Sequence, residues 1–349
     1  MCRAGSDIRH IPKILYHWRA HKDSTAENPE SKRYAFEAGI RAIQAHYDRC
    51  GIDAEVSAEQ LNGIYRSKYR LKEQPLVSVI IPNKDHTEDL DKCIRSIEEK
   101  GTYKNIEYIV IENNSEKKET FAYYEKLQAE NPKVKVVFWE REFNYSAINN
   151  YGVGFAKGEY LLFLNNDTEI INPDCIEELL GYCMRDDVGI VGARLYYEDD
   201  TIQHVGVIIG LGGVAGHTFV GEPKDSLGYF GRIVTAQDYS AVTAACLMTK
   251  RKVFEKVNGF EEKLAVAFND VDFCLKVREA GYLVVYNPYA ELHHYESKSR
   301  GLEDTEEKVL RFQGEIRTFQ YRWKDILNEG DPYYSPNLTL DKTDFSLRV

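Results

Sequence analysis

Gly158-Glu159-Tyr160-Leu161-Leu162-Phe163-Leu164-Asn165-Asn166-Asp167 sets a short apolar run directly against three short polar residues. Tyr160–Leu164 reads as a buried strand. Side chains alternate along extended chain, so Asn165 and Asp167 should point the same way. An oxygen-rich pair at the end of a rigid strand can hold Mg2+ or Mn2+. Such ions keep several waters and take one or two protein carboxylates plus substrate phosphates. Asp167 can equally cap the turn or helix that follows. Local spacing leaves both readings open.

The same pattern repeats towards the N-terminus. Residues 77–81, 106–111 and Val134–Phe138 read as three earlier strands. Helices are expected near 89–99, over 117–129 and over 146–156, the last with Asn144 as its N-cap and Gly158 just past its end. A helix over 174–184 and a strand at 189–191 follow. Strands about thirty residues apart with helices between them imply right-handed βαβ units. They predict an α/β fold with a parallel sheet covered on both faces. Ligands of such a sheet bind beyond the carboxyl ends of its strands. There the sequence places Pro82-Asn83-Lys84-Asp85, Glu112-Asn113-Asn114-Ser115, Glu140-Arg141 with Asn144, and Asn165-Asn166-Asp167. One polar loop proves nothing, but four along one edge mark a candidate site.

Towards the C-terminus the order loosens. Residues 203–247 mix short strands with glycine-rich loops. Gly210-Leu211-Gly212-Gly213-Val214-Ala215-Gly216 nearly satisfies a dinucleotide fingerprint, but that motif must open a helix. His217-Thr218-Phe219-Val220-Gly221-Glu222-Pro223 is not helical, so the glycines read as a loop. A helix is expected over 270–280, ending at Gly281, with a strand at 282–286 after it. Asn269-Asp270-Val271-Asp272 opens that helix. Acidic residues in a first turn favour the helix dipole, and this alone accounts for them. The chemical reading makes one of them a general base. Further on stand Pro288-Tyr289-Ala290-Glu291-Leu292-His293-His294 and Arg300. Adjacent histidines on a strand face opposite ways, so at most one serves a given metal. Arginine suits phosphate oxygens.

The flanks differ from the centre. Residues 1–74 read as a mostly helical segment, with apolar helical spacing over 33–50 and a boundary at Gln74-Pro75. Residues 75–301 form the central domain. In 302–349, Val309, Phe312, Ile316, Phe319, Trp323 and Ile326 make one helical stripe. Packing on the domain is its expected role, with membrane or partner docking as the alternative.

Composition narrows the function. The net charge of -11 argues against a broad nucleic-acid-binding face. The 24 tyrosines suit a protein that handles sugars, though tyrosine also serves as general amphipathic surface. Seven cysteines without a C-x-x-C pair read as reduced thiols in a cytosolic protein. The N-terminal residues show no apolar signal, and no stretch is long enough to span a bilayer. Peripheral attachment at the inner face of the membrane stays open.

Taken in order, these motifs resemble the family 2 glycosyltransferases, which carry the two-lobed GT-A fold. Val-Ser-Val-Ile-Ile-Pro at 77–82, Glu-Asn-Asn-Ser at 112–115, Phe-Asn-Tyr-Ser at 143–146, the opening stretch at 158–167, Asn269–Asp272 and Pro288–His294 follow the family's sequence of motifs. The wording is most similar to bacterial enzymes of cell-surface polysaccharide synthesis, rhamnosyltransferase-like members included. The resemblance implies a nucleotide-sugar donor, UDP- or dTDP-linked, and a glycan or lipid-linked acceptor. It places Pro82, Asn83, Glu112 and Asn114 at the nucleotide, Asn144 and Asn149 near the diphosphate, and Asn165 and Asn166 at the donor. It gives Asp167 and His294 to a Mg2+ or Mn2+ ion, Arg300 to phosphate, and Asp270 to the role of base. Gln203, His204, Thr243 and Asp272 would border the acceptor. Three departures stand out: Glu112 replaces the usual aspartate, Asn165 the first aspartate of D-x-D, and Asn269 the first acid of E-D. The segment Ile11-Pro12-Lys13-Ile14-Leu15-Tyr16-His17-Trp18-Arg19 resembles the approach to a module of a tandem glycosyltransferase. Two rivals remain at this level. A sugar nucleotidyltransferase would need a Gly- and Arg-rich first loop, which 82–86 lacks. A catalytically dead binding module would explain the two acid-to-Asn departures.

Overall fold

The computed structural model describes residues 11–17, 19, 33–59, 61–295 and 305–348. Helix α1 (Arg33–Cys50) leads to a hairpin, β1 (Ala54–Ala58) and β2 (Tyr65–Tyr69). The βα series follows as β3 (Val77–Asn83), α2 (Thr87–Arg95), β4 (Ile106–Glu112), α3 (Lys118–Glu130), β5 (Val134–Phe138), α4 (Tyr145–Val153) and β6 (Tyr160–Leu164). Next come β7 (Thr168–Ile170), α5 (Cys175–Cys183), β8 (Val188–Tyr196), β9 (Ile202–His204), β10 (Val207–Ile209), β11 (Ala215–His217) and β12 (Gln237–Asp238). The chain continues through β13 (Cys246–Lys250), α6 (Arg251–Lys256), α7 (Asn269–Glu279), β14 (Leu283–His294), α8 (Glu306–Arg322) and α9 (Lys324–Glu329).

The central sheet runs β12-β14-β8-β13-β6-β3-β4-β5. Its β6-β3-β4-β5 half is parallel, as the βαβ spacing predicts. The other half is mixed. β13 lies antiparallel between β6 and β8, so the strand at 189–191 does not extend the parallel run directly. The crossover through α5 leaves a gap, and the chain fills it on its way back from the 203–245 region. Alternate side chains of the strands feed two cores. Ile80, Ile109, Ile111, Leu161 and Phe163 pack on the face of α4, α6 and α7. Val79, Ile81, Tyr108, Val110, Leu162 and Leu164 pack on the face of α2, α3 and α5. Burying both faces explains why these strands read as near-continuous apolar runs.

Several expectations are refined. Helix α4 starts after Asn144 but stops at Val153, three residues short of 156. The N-terminal segment is not mostly helical in its described part, because β1 and β2 pair there. Ala54 and Val56 face inward at a period of two. Arg66 and Lys68 of β2 reach Glu178 and Asp174 of the α5 region at 2.7 and 2.6 Å, and Tyr69 packs edge-on against Tyr182. The glycine-rich stretch is a tight β10-β11 hairpin. Gly210, Gly212 and Gly213 have φ of 93, 64 and 91°, a backbone that suits glycine and opens no helix. The C-terminal stripe packs inward: Phe319 and Trp323 are buried, and the Phe312 ring stacks on Phe268. Among the described residues no helix is long and apolar enough to cross a membrane. The six described cysteines are free thiols, five of them buried.

Candidate active site

The turn after β6 and the far end of β14 meet. His294 Nε2 lies 3.1 Å from Asn165 Nδ2 and 3.2 Å from Asp167 Oδ1. Asn165 and Asp167 thus face one imidazole, as strand alternation predicts. Asn166 faces away and donates to Asn83 Oδ1 at 2.6 Å. His293 points to the opposite face, where it meets Asp200 at 2.9 Å. The long β14 that delivers His294 passes through a bulge between Asn287 and Glu291, around Pro288. Proline cannot donate to the ladder, so it sits where pairing lapses. That is why the sequence pattern ends the strand at 286 while the chain carries it to 294.

Gln203 fixes the state of this imidazole. Its Nε2 donates to the His294 carbonyl at 3.2 Å, and a carbonyl can only accept. Its Oε1 therefore faces Nδ1, at 2.6 Å, and the Nδ1 proton goes there. In that tautomer Nε2 carries the ring's lone pair, with the Asn165 Nδ2 donor at 3.1 Å and Asp167 Oδ1 at 3.2 Å. Across from it, buried Asp167 Oδ1 is paired only by charge with the imidazole at 3.2 Å and has no well-formed hydrogen bond. Leaving such an acceptor unmet costs about 1–3 kcal/mol. Two lone-pair atoms about 3.2 Å apart, one of them this carboxylate oxygen, suit a small divalent cation between them. Burial alone would raise the Asp167 carboxyl; the hydrogen bond and charge of His294 outweigh it and hold the group below its ordinary value. Among the described residues no group of three or more His, Cys, Asp or Glu side chains converges. Mg2+ and Mn2+ tolerate a short set because waters and phosphates complete it.

The expected donor residues line the adjoining edge, but most of them are props. Asn83 and Glu112 are 3% and 2% exposed. Glu112 does not reach out to a base: its carboxylate accepts from Ser115 N, Ser115 Oγ and Tyr124 Oη. The extra methylene relative to aspartate lets it reach back to its own loop. Asn114 is exposed with φ 57°, and its Nδ2 donates to the Arg141 carbonyl, joining the loops after β4 and β5. Pro82 is half-buried near the end of β3, in register with Ile111 of β4. Asn144 is the N-cap of α4, accepting from Ala147 N at 2.9 Å, while its Nδ2 ties down the Glu262 carbonyl. Asn149 is fully buried; its Nδ2 donates to the Tyr145 carbonyl and its Oδ1 has no partner. Glu112, Asn144 and Asn149 thus act as supports within the protein. Arg300 lies outside the described residues.

Asp270 stands at the start of α7, half-buried. Its Oδ2 accepts from Ala244 N at 3.1 Å and its Oδ1 from Val271 N at 2.8 Å. The next carbonyl, Ala245 O, accepts from Asn165 N at 3.0 Å, and Tyr145 Oη donates to Ala244 O. One peptide segment before β13 thus joins the turn of Asp167 to the carboxylate of Asp270. Asn269 is buried and spends its amide on the Val266 carbonyl.

The expected acceptor residues divide. Thr243 is half-buried beside this segment. His204 is fully buried and accepts from Thr243 N at 3.4 Å. Burial, with His217 and His294 nearby, holds its imidazole far below the ordinary value, so it is neutral. Gln203 grips His294, as described. Asp272 is 0% exposed and accepts from Arg322 Nε at 2.8 Å and Trp323 Nε1 at 2.9 Å, tethering α8. Gln203, His204 and Asp272 thus each hold other groups of the protein in place. Sequence reasoning missed Tyr124, one tyrosine among 24 with no motif around it. It also missed Glu315 of α8, whose carboxylate accepts from Val266 N and Ala267 N in the loop before Asp270.

Comparison with known proteins agrees with this geometry. Residues 78–257 match the family model described as Glycosyl transferase family 2. The uncharacterized protein y4gI of Sinorhizobium fredii is 46% identical over 342 residues, covering 97% of this chain and 38% of that protein. The O-antigen biosynthesis protein RfbC of Myxococcus xanthus is 37% identical over 350 residues, covering 100% of this chain and 27% of that protein. The chain thus spans well under half the length of these relatives. Among solved structures, a mannosyltransferase of Pyrobaculum calidifontis in complex with GDP-Man and Mn2+ superposes with a TM-score of 0.54. That match has 14% identity over 84% of this chain and 77% of that one, a likeness of fold. The family match covers the parallel half-sheet, the Asn165–Asp167 turn and β13 together, and with it the chain belongs to glycosyltransferase family 2, in the GT-A fold.

Proposed function

We propose that this enzyme transfers a sugar from a nucleotide-diphosphate donor to a hydroxyl of a glycan or lipid-linked acceptor, with inversion, in cell-surface polysaccharide synthesis. The observation that carries this is the joined site: buried Asp167 Oδ1, without a well-formed hydrogen bond, faces His294 Nε2 at 3.2 Å and is tied through Ala244-Ala245 to Asp270. The relationship to the O-antigen biosynthesis protein supports the polysaccharide setting.

Asp270 takes the acceptor hydroxyl proton as that oxygen attacks the anomeric carbon. The bond from this carbon to the diphosphate oxygen breaks, and its electron pair leaves with the diphosphate. Backbone N–H groups of Ala244 and Val271 hold the carboxylate in place for that proton. Asp167 and His294 would hold Mg2+ or Mn2+, which when bound supplies positive charge to the leaving diphosphate. Pro82 and Asn114 border the nucleotide, and Thr243 the acceptor. Arg300 is placed at the phosphates by resemblance. UDP- and dTDP-sugars are the expected donors.

The test is release of nucleoside diphosphate from UDP-, dTDP- and GDP-sugars, with and without Mn2+. Metal-stimulated release from one donor class is the expected result. Silence with every donor, although thermal shift shows binding, would favour the non-catalytic module that Asn165 and Asn269 suggest.

A further inference from the structure

Four buried side chains form a directed chain from the end of β4 to the metal turn. Asn166 Nδ2 donates to Asn83 Oδ1 at 2.6 Å, Asn83 Nδ2 donates to Tyr124 Oη at 2.7 Å, and Tyr124 Oη donates to Glu112 Oε2 at 2.6 Å. Asn83, Tyr124, Asn166 and Glu112 are all less than a tenth exposed. Every proton points the same way, and the reason lies at the end of the chain. A carboxylate only accepts, so Tyr124 must give it a proton and is left to accept. Asn83 must then turn its NH2 towards Tyr124, which leaves its oxygen for Asn166. The orientation of each amide follows from one carboxylate, two hydrogen bonds from Asn83 and three from Asn166. Chains of this kind polarise and strengthen one another in a low-dielectric interior.

We infer that Glu112, Tyr124 and Asn83 form a relay that sets the Asn165-Asn166-Asp167 turn, with Tyr124 as its central positioning residue. The relay grips Asn166 from below, so Asn165 and Asp167 are held towards His294 above. It starts at the Glu112-Ser115 loop, where Ser115 Oγ also accepts from Asp85 N at 2.9 Å. The loops after β3, β4 and β6 are thereby one hydrogen-bonded unit, and metal affinity depends on a tyrosine that touches neither metal nor sugar. The effect on metal rests on the reading of Asp167 and His294 as its ligands; the effect on the turn does not.

Two measurements separate these levels. Tyr124→Phe deletes only the hydroxyl, and Glu112→Gln, which adds a donor at the acceptor end, serves as a second variant should the first fold poorly. Hydrogen exchange of the metal-free protein should show the peptide spanning 160–170 exchanging several-fold faster in either variant, with the other strands unchanged. Calorimetric titration with Mn2+ alone should show affinity falling about tenfold, the low end for supporting residues around a metal. Unaltered exchange in that peptide would overturn the relay, whatever the metal does. Faster exchange with Mn2+ affinity within twofold of wild type would overturn the link from relay to metal. Faster exchange in a protein whose wild type takes up no Mn2+ would uphold the relay and defeat the metal reading instead.

Discussion

The two sides of the site are built differently. On the donor side, the ends of β3, β4 and β6 come to one edge because parallel strands joined by crossover helices must end together. On the acceptor side, Asp270 is held by a peptide from before β13, the loop in front of it by Glu315 of α8, and His294 by Gln203 of β9. No repeating rule brings these together. Each rests on contacts of particular side chains remote in sequence. Phe268, just before Asn269, even holds a left-handed φ of 60°, fixed by the rings of Phe312 and Phe319. The donor side is a property of topology, and the acceptor side is a property of particular side chains. Substitutions should therefore be felt sharply on the acceptor side.

Asp270→Asn breaks this comparison hardest. It keeps the size and loses the base, so turnover should fall about 10²–10⁴-fold with donor binding retained. Steady-state kinetics with the donor found by screening would measure it. Near-normal turnover would remove Asp270 from the chemistry. Gln203→Leu should come next. It frees the His294 ring to change tautomer, and Mn2+ affinity should drop about 10–100-fold by titration.

Glu315→Gln sharpens the comparison, because it leaves every expected contact residue in place. One of two backbone N–H groups loses its acceptor, at a cost of about 1–3 kcal/mol in denaturant unfolding. Turnover should fall more than donor affinity, since the loop carries Asp270. The smallest effect concerns pH. His204 stays neutral in the folded protein and takes a proton near pH 6.5 when unfolded. The unfolded state binds more protons, so stability is complete above that pH and falls as pH drops, by up to about 1.4 kcal/mol per unit. Unfolding at pH 7 and pH 5.5 should show this slope, and His204→Gln should flatten it.

Much of this was legible in the residues. Val77–Asn83, Ile106–Glu112 and Tyr160–Leu164 announce themselves as apolar runs because both their faces are covered. Asn144 shows as a cap, and the choice of His294 over His293 is what the family resemblance at Pro288–His294 implies. What sequence leaves dark is direction. Glu112 and Asn149 lie at the right edge yet turn inward, because a buried polar group must first satisfy neighbours that are remote in sequence. β13 is hidden for a similar reason: its place between β6 and β8 depends on a gap, which no pattern in Cys246–Lys250 encodes. Asp272 obeys the helix-dipole pattern and still serves another purpose, since its partners Arg322 and Trp323 lie in the C-terminal helices region.

One experiment separates the two ends of the site most directly. Mn2+ is titrated calorimetrically, with the screened donor present, into wild type, Asp167→Ala and Asp270→Asn. Wild type and Asp270→Asn should bind the ion alike, while Asp167→Ala should not bind it. Binding by Asp167→Ala as tight as by wild type would contradict the site built here around the turn after β6.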